Sequence, residues 1–193
     1  MFYDSASRLL DDEMVPNIEK WNDQGVVDRE FWTKTGDAGI LGAALPEEFG
    51  GAGAPISFDA VTAYLQGRKG ESSWGFSIQS IVNHYVAAYG TDSQKERWLP
   101  KLASGEYVGA IAMTEPGTGS DLQSVKTSAE LVGNEYVLNG SKIFITNGQT
   151  ADLIIVVAKT DKTKGSKGVS LLVLETEGAD GFTRGRNLKK LGC

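Results

Sequence analysis

Apolar positions recur at helical spacing through the first half of the chain and at every second residue through most of the rest. Phe2, Leu9, Leu10, Met14, Ile18 and Trp21 mark one side of a helix predicted over Met1–Gln24, with Asp11, Asp12, Glu13, Glu19 and Lys20 on the polar side. Pro16 lies inside this pattern and predicts a kink or a split. A second helix is predicted over Asp28–Asp37, with Asp28 as N-cap and Phe31 and Trp32 facing inward. Gly39, Gly42 and Gly50–Gly53 mark loops around LPEEFGG, anchored by Leu45 and Phe49. Further helices are predicted over Ser57–Lys69, capped by Ser57, over Ser73–Tyr89, and from Thr91–Ser93 through Leu102. The Ser73–Tyr89 helix is apolar nearly all round and belongs inside, as the spine of a core or the wall of an apolar cavity.

After Gly105 the period shortens to two. Gly133-Asn134, Asn139-Gly140 and Asn147-Gly148 punctuate short β-rich runs, and such pairs favour hairpins because both residues tolerate positive φ. Strands are predicted at 108–114, 124–132, 135–139, 141–146, 152–159 and 168–175. With mostly short connections and no alternating βα pattern, they suggest an antiparallel sheet or barrel. In KIFIT, alternation puts Ile143 and Ile145 on a core face and Lys142, Phe144 and Thr146 on the other. In the first strand Ala110, Ala112 and Thr114 share a face. That face suits a flat ligand or a covering segment of chain, and spacing does not separate the two.

Composition narrows the function classes. A formal net charge of −6 without a dense Lys/Arg block argues against nucleic acid as the main partner. The one cysteine, Cys193, leaves no internal disulfide and fits a reducing compartment. No apolar run approaches a membrane span, and the N-terminus lacks a signal-peptide pattern, so the expectation is a soluble intracellular protein. At 193 residues the chain can bury a sizeable core.

The candidate chemistry concentrates in VGAIAMTEPGTGSD, Val108–Asp121, where a small-residue strand enters a turn containing Pro116, Gly117 and Gly119. Glycines there let the backbone approach a phosphate-bearing or dicarbonyl ligand, although a Gly-rich turn alone is a weak signal. Pro116 fixes Glu115 in a turn, and Asp121 reads as a cap or turn former rather than an acid. The lone histidine, His84, lacks a local carboxylate or nucleophile and reads as structural.

TEPGTGSD, NGSKIFITNG and the order of helices before strands together make the chain resemble the acyl-CoA dehydrogenase family, closest to its long-chain branch through AIAMTEPGTGSDLQ, LNGSK and GFTRGRNLKKLG. The resemblance implies an α+β fold: an α-helical N-terminal domain over 1–105 and a β-barrel middle domain over 106–193. It also implies FAD as cofactor, acyl-CoA as substrate, electron-transfer flavoprotein as electron acceptor and a homo-oligomeric parent enzyme. By motif, Ile111, Ala112, Met113, Thr114, Gly119 and Ser120 would contact the cofactor, with Ser120 also near the substrate's pantetheine. Phe144, often Trp in the family, would pack on the flavin ring, and Ile145 beside it would also contact the cofactor. Thr146 would hydrogen-bond the ring edge that accepts hydride. The loop Thr160–Lys167 reads as a solvated charge run in preference to the CoA phosphate contact that the resemblance would allow it. No metal is implied.

The family's catalytic base is a glutamate of a C-terminal helical bundle, and that bundle is absent from this chain. The base is therefore expected beyond Cys193, with no catalytic residue here and a fragment inactive alone. An acyl-CoA oxidase-type relative and a non-catalytic binding or assembly module are the other readings. The location implied is a bacterial cytoplasm or a mitochondrial matrix.

Overall fold

The structure, a computed structural model, describes residues 1–188; Cys193 and the end of the GFTRGRNLKKLG motif lie outside the described residues. The predicted first helix is broken around Pro16. Helix α1 (Phe2–Leu9) runs into a π-turn at Leu10–Met14 and a 3-10 turn at Val15–Asn17, and α2 (Ile18–Gln24) resumes. The break leaves the apolar stripe intact: Ala6, Leu10, Met14 and Trp21 are all buried in one cluster. Helix α3 (Arg29–Asp37) follows, then α4 (Ser57–Arg68), α5 (Phe76–Tyr89) and α6 (Asp92–Ser104).

Two of the predicted caps are not made. Asp28 stands at the N-cap of α3, but its carboxylate turns back to accept from Lys20 Nζ at 2.5 Å and Gln24 Nε2 at 2.9 Å. Ser57 is the first residue of α4 and caps nothing. Thr91 does cap α6, in a reciprocal pair with Gln94 that satisfies two exposed backbone donors.

Helix α5 is the spine of the helical part. Glu71, 4% exposed, accepts from Gln66 and from the Trp74 amide and so fixes the turn that feeds the helix. Trp74 then stacks edge-on with Phe31 and Trp32, at centroid distances of 5.0 and 6.0 Å. Farther along, Val82 and Val86 pack with Leu99 and Leu102 of α6 and with Ile111, Leu153 and Ile155 from the strands. Helices and sheet thus share one apolar layer.

The strands are β1 (Gly109–Ala112), β2 (Ser128–Val132), β3 (Glu135–Asn139), β4 (Leu153–Lys159) and β5 (Val169–Glu175). The fold class holds, but the sheet corrects the barrel expectation: it is open and of mixed direction. β4 is its centre, antiparallel to β5 along its whole length and parallel to β1 from Gly109↔Leu153 to Ala112↔Val156. The β2–β3 hairpin joins it through one parallel pair, Ser128↔Lys159. Parallel neighbours need a long crossover. Residues 113–152 supply it without an α-helix, which is why a missing βα pattern wrongly suggested antiparallel pairing.

The second correction concerns 141–146. This stretch is not a strand: Phe144 has φ of 58° and Asn147 of 64°, so the chain cannot run on as a pleated ribbon. Among the described residues no helix is long and apolar enough to cross a membrane.

Candidate functional site

β1 is held from both sides before it reaches the Gly-rich turn. Gln79 of α5, fully buried, accepts from Gly109 N at 2.6 Å and donates to the carbonyls of Leu102 and Tyr107 at 3.0 and 3.1 Å. Gly109 must be glycine, because a Cβ there would lie 2.8 Å from a Val82 methyl. Ile111 and Met113 face the helices, whereas Ala110 and Ala112 face a second apolar cluster with Ile154 and Val156. Ile145 and Leu138 pack over that cluster. The alanine face is therefore covered by this chain itself, and Ile111 and Ala112 offer a ligand backbone only.

Beyond β1 the chain turns tightly between Glu115 and Thr118, whose backbones exchange hydrogen bonds of 2.9 and 3.1 Å. Asp121 caps the short turn Leu122–Ser124, accepting from Gln123 N at 3.2 Å and from the Ser124 hydroxyl. Glu115 is 6% exposed and accepts from Lys126 N at 2.6 Å, Thr127 N at 2.9 Å and Lys142 Nζ at 2.9 Å. Burial disfavours the anion, but donors on Thr127, Lys126 and Lys142 outweigh it and hold the carboxyl at about 2. Both carboxylates of the motif thus serve the turn, as their position beside Pro116 and the glycines implied.

The 142–147 segment lies against this turn. Ile143 N donates to Thr114 O at 2.9 Å, and Lys142 Nζ donates to Met113 O at 2.9 Å as well as to Glu115. At the other end Asn147 Nδ2 donates to Gly75 O at 3.2 Å and Gly109 O at 3.0 Å. The alternation read from KIFIT survives in part without a strand: Ile143 and Ile145 are half-buried, Phe144 and Thr146 exposed. Lys142 departs from it, turning inward with a side chain only 10% exposed.

Turn and segment therefore present one surface. Phe144 carries a ring that is 72% exposed. Ser120 and Thr146 are exposed, Thr114 is half-buried, and none of these three hydroxyls is engaged by another described residue. A Cβ built at Gly117 or Gly119 meets nothing within 4 Å, so the space over these glycines is open to a ligand. A free aromatic face, unengaged hydroxyls and an open glycine turn fit a flat, phosphate-bearing cofactor. Among the described residues no group of three His, Cys, Asp or Glu could hold a metal.

Comparison with known proteins agrees with this geometry. The family model for the acyl-CoA dehydrogenase N-terminal domain matches residues 1–106, and that for the middle domain matches residues 110–193. The chain belongs to the acyl-CoA dehydrogenase family. It is 44% identical over 195 residues to the mitochondrial long-chain specific acyl-CoA dehydrogenase of Rattus norvegicus, covering 100% of this chain and 45% of that protein. Among solved structures, an acyl-CoA dehydrogenase from Geobacillus kaustophilus superposes with a TM-score of 0.94 at 42% identity, over 98% of this chain and 50% of that one. A glutaryl-CoA dehydrogenase from Mycobacterium smegmatis in complex with FADH2 superposes with a TM-score of 0.87 at 29% identity, over 98% of this chain and 48% of that one. The chain spans about half the length of the relatives it matches.

Against this acyl-CoA dehydrogenase frame, sequence reasoning missed three residues that build the site: Gln79, Lys142 and Asn147. Asn147 had one signal, since Asn beside Gly is the pair that accepts positive φ. Lys142 and Gln79 had none, because their partners lie far along the chain. His84 likewise has a distant partner, Asp59 Oδ2 at 3.1 Å, which also accepts from Ser80. This cluster ties α4 to α5, in keeping with the structural reading of the histidine.

Proposed function

We propose that this chain supplies the flavin platform of an acyl-CoA dehydrogenase, which desaturates acyl-CoA thioesters between the α and β carbons with FAD as cofactor. The observation that carries the reading is the joining of the TEPGTGSD turn to the KIFITN segment through Ile143 and Lys142, which supports Phe144, Thr114 and Thr146 bordering one ligand site. Bound FAD supplies the hydride acceptor, a task no side chain can perform. The chain's own residues hold and orient. Backbone groups of Ile111–Thr114 border the ring site, Phe144 offers a face, Thr114 and Thr146 offer hydroxyls at its edges, and Gly119 and Ser120 offer the phosphate-side turn. Ser120 also borders the acyl-CoA path.

No proton-abstracting residue is assigned among residues 1–188. Glu115, a carboxylate within the motif, is already an anion held by three donors, and a group with a value of about 2 is a poor base for an α-proton at neutral pH. Electron-transfer flavoprotein as acceptor, a homo-oligomeric parent enzyme and a mitochondrial-matrix or bacterial-cytoplasmic location belong to the same reading.

Titration with FAD, followed by flavin fluorescence and absorbance, tests the platform. Phe144→Ala is expected to weaken binding about tenfold through lost stacking, and Thr146→Val about fivefold through one lost hydrogen bond. Unchanged affinity and flavin spectrum in both variants would remove these assignments. Flavin bound to the chain is expected to stay oxidised on anaerobic addition of an acyl-CoA; full bleaching would place a competent base among these residues.

A further inference from the structure

We propose that Lys142 and Asn147 are positioning residues, whose side chains pin the two ends of the 143–146 segment to β1 and its turn and so hold the Phe144 ring on the outer surface. The inference rests on the flavin-platform reading only for what the ring meets; the pinning is a property of the chain itself.

The segment needs such pins because it has little else. It joins no strand ladder, and its one backbone bond to the turn is Ile143 N to Thr114 O. It also contains a residue in an unfavourable conformation. Phe144 has φ of 58°, a region that bulky residues rarely enter, and its ring is too exposed for core packing to hold it there. Such a conformation persists only where the surroundings over-determine it, and such residues cluster at functional sites. Asn147, at φ of 64°, is the type that tolerates this region, so the second bend is intrinsic to the sequence while the first is imposed.

What imposes it can be named at both ends. Lys142 extends its chain inward beneath the segment, and its ammonium donates to Met113 O and Glu115 Oε1, both at 2.9 Å. Its side chain is 10% exposed and that of Glu115 5%, so the contact is sheltered from water. A strongly hydrated ammonium that gives up water needs full compensation, and it has it here from a carbonyl and an anion. Asn147 holds the other end by donating to two carbonyls from different elements, Gly75 before α5 and Gly109 in β1. The fit there is close: a Cβ at Gly75 would lie 2.1 Å from Asn147 Oδ1. The Lys142 ammonium and the Asn147 amide nitrogen are each engaged within the chain, and the role assigned to both is carried through Phe144 and Thr146.

Residue-resolved amide hydrogen exchange on the chain, with Lys142→Met, Lys142→Arg and Asn147→Gly, tests the pinning. Glycine at 147 keeps the bend and removes only the side chain. Lys142→Met is expected to speed exchange of the Ile143 amide at least about tenfold more than that of the β4 amides, which follow only the loss of global stability from the stranded Glu115 charge. Lys142→Arg is expected to recover part of that protection, and Asn147→Gly to speed exchange at Gly148, whose amide donates to Ile145 O. Ile143 exchange unchanged in Lys142→Met, or raised equally through β4 and α5, would overturn the proposal. FAD titration is the second arm, at a temperature where the cofactor-free variants remain folded by circular dichroism, with each of Lys142→Met and Asn147→Gly expected to weaken binding about tenfold. Equal affinity in wild type and both variants overturns the positioning role. A wild-type chain that fails to bind FAD while the exchange pattern is as expected overturns the flavin reading and leaves the pinning standing.

Discussion

Two of the ion pairs that tie distant parts of this chain together are built on opposite plans. Arg29 of α3 grips Asp152, just before β4, with bonds of 2.6 and 3.1 Å, and also reaches the carbonyls of Glu106 and Thr150. Its side chain is 44% exposed and that of Asp152 30%, so water and salt compete for every contact. Lys142 and Glu115 form a single short contact in near isolation from solvent. The first pair resembles a clasp between surfaces that already pack. The second sits where packing is thin and sets the geometry of the candidate site. A buried pair of this kind adds little net stability over an apolar substitute, but losing one partner strands the other.

The largest expected effect follows directly. Glu115→Ala removes the acceptor of three donors and leaves Lys142 buried and unpaired, with an expected loss of about 3–5 kcal/mol in denaturant unfolding. A loss below about 1 kcal/mol would mean that Lys142 swings out to water and is no pin. The same carboxylate predicts a pH dependence. Its folded value of about 2 lies below the ordinary 4.5, so its contribution is present above pH 4.5 and is lost as pH falls through that value toward 2. The size is on the order of 3 kcal/mol, and Glu115→Gln is expected to flatten the acid limb of the stability profile.

This contrast also explains what could be read from the residues alone. The helices were legible because Leu10, Met14, Trp21 and their neighbours repeat at one period, and burial follows that period even through the π-turn. Glu115 was legible as structural because Pro116 and two glycines force a turn around it. The shape of the 142–147 segment was not legible, since Ile143 and Ile145 alternate as strand residues do and nothing local warns that Phe144 has positive φ. The cause is Lys142 reaching back to Met113, a contact between residues 29 apart in the chain. The sheet's direction was hidden for the same reason: β1 meets β4 only after a long excursion. Local pattern reports elements; it does not report which distant partners meet.

Arg29→Ala tests the exposed side of the comparison at intermediate size. It deletes a bidentate pair and two bonds to carbonyls, yet Asp152 keeps its bond from Val108 N at 2.7 Å and is not stranded. An expected loss of about 1–2 kcal/mol, falling as salt is raised, fits that geometry. The Glu115→Ala loss is expected to change little with salt. Equal salt dependence of the two variants would erase the distinction between clasp and pin.

The smallest expected effect comes from the Thr160–Lys167 loop, where Lys162 pairs with Glu130 at 3.2 Å and both side chains are more than 60% exposed, at 62% and 69%. Each partner gives up rotamer freedom for a contact that water screens, so Lys162→Ala is expected to change stability by less than about 0.5 kcal/mol. The loop does not depend on the pair, because Asp161 already folds it by accepting from Thr163 N at 2.9 Å and from Lys164 at 3.1 Å. The loop does lie against the Leu122–Ser124 turn that follows the glycines, but the Lys162 ammonium itself is turned to Glu130 of β2. CoA affinity in a chain loaded with FAD is accordingly expected to be unchanged in Lys162→Ala. A loss of tenfold or more would convert a solvated charge run into a phosphate contact, and the site would then extend from the turn after β1 to the far end of β4.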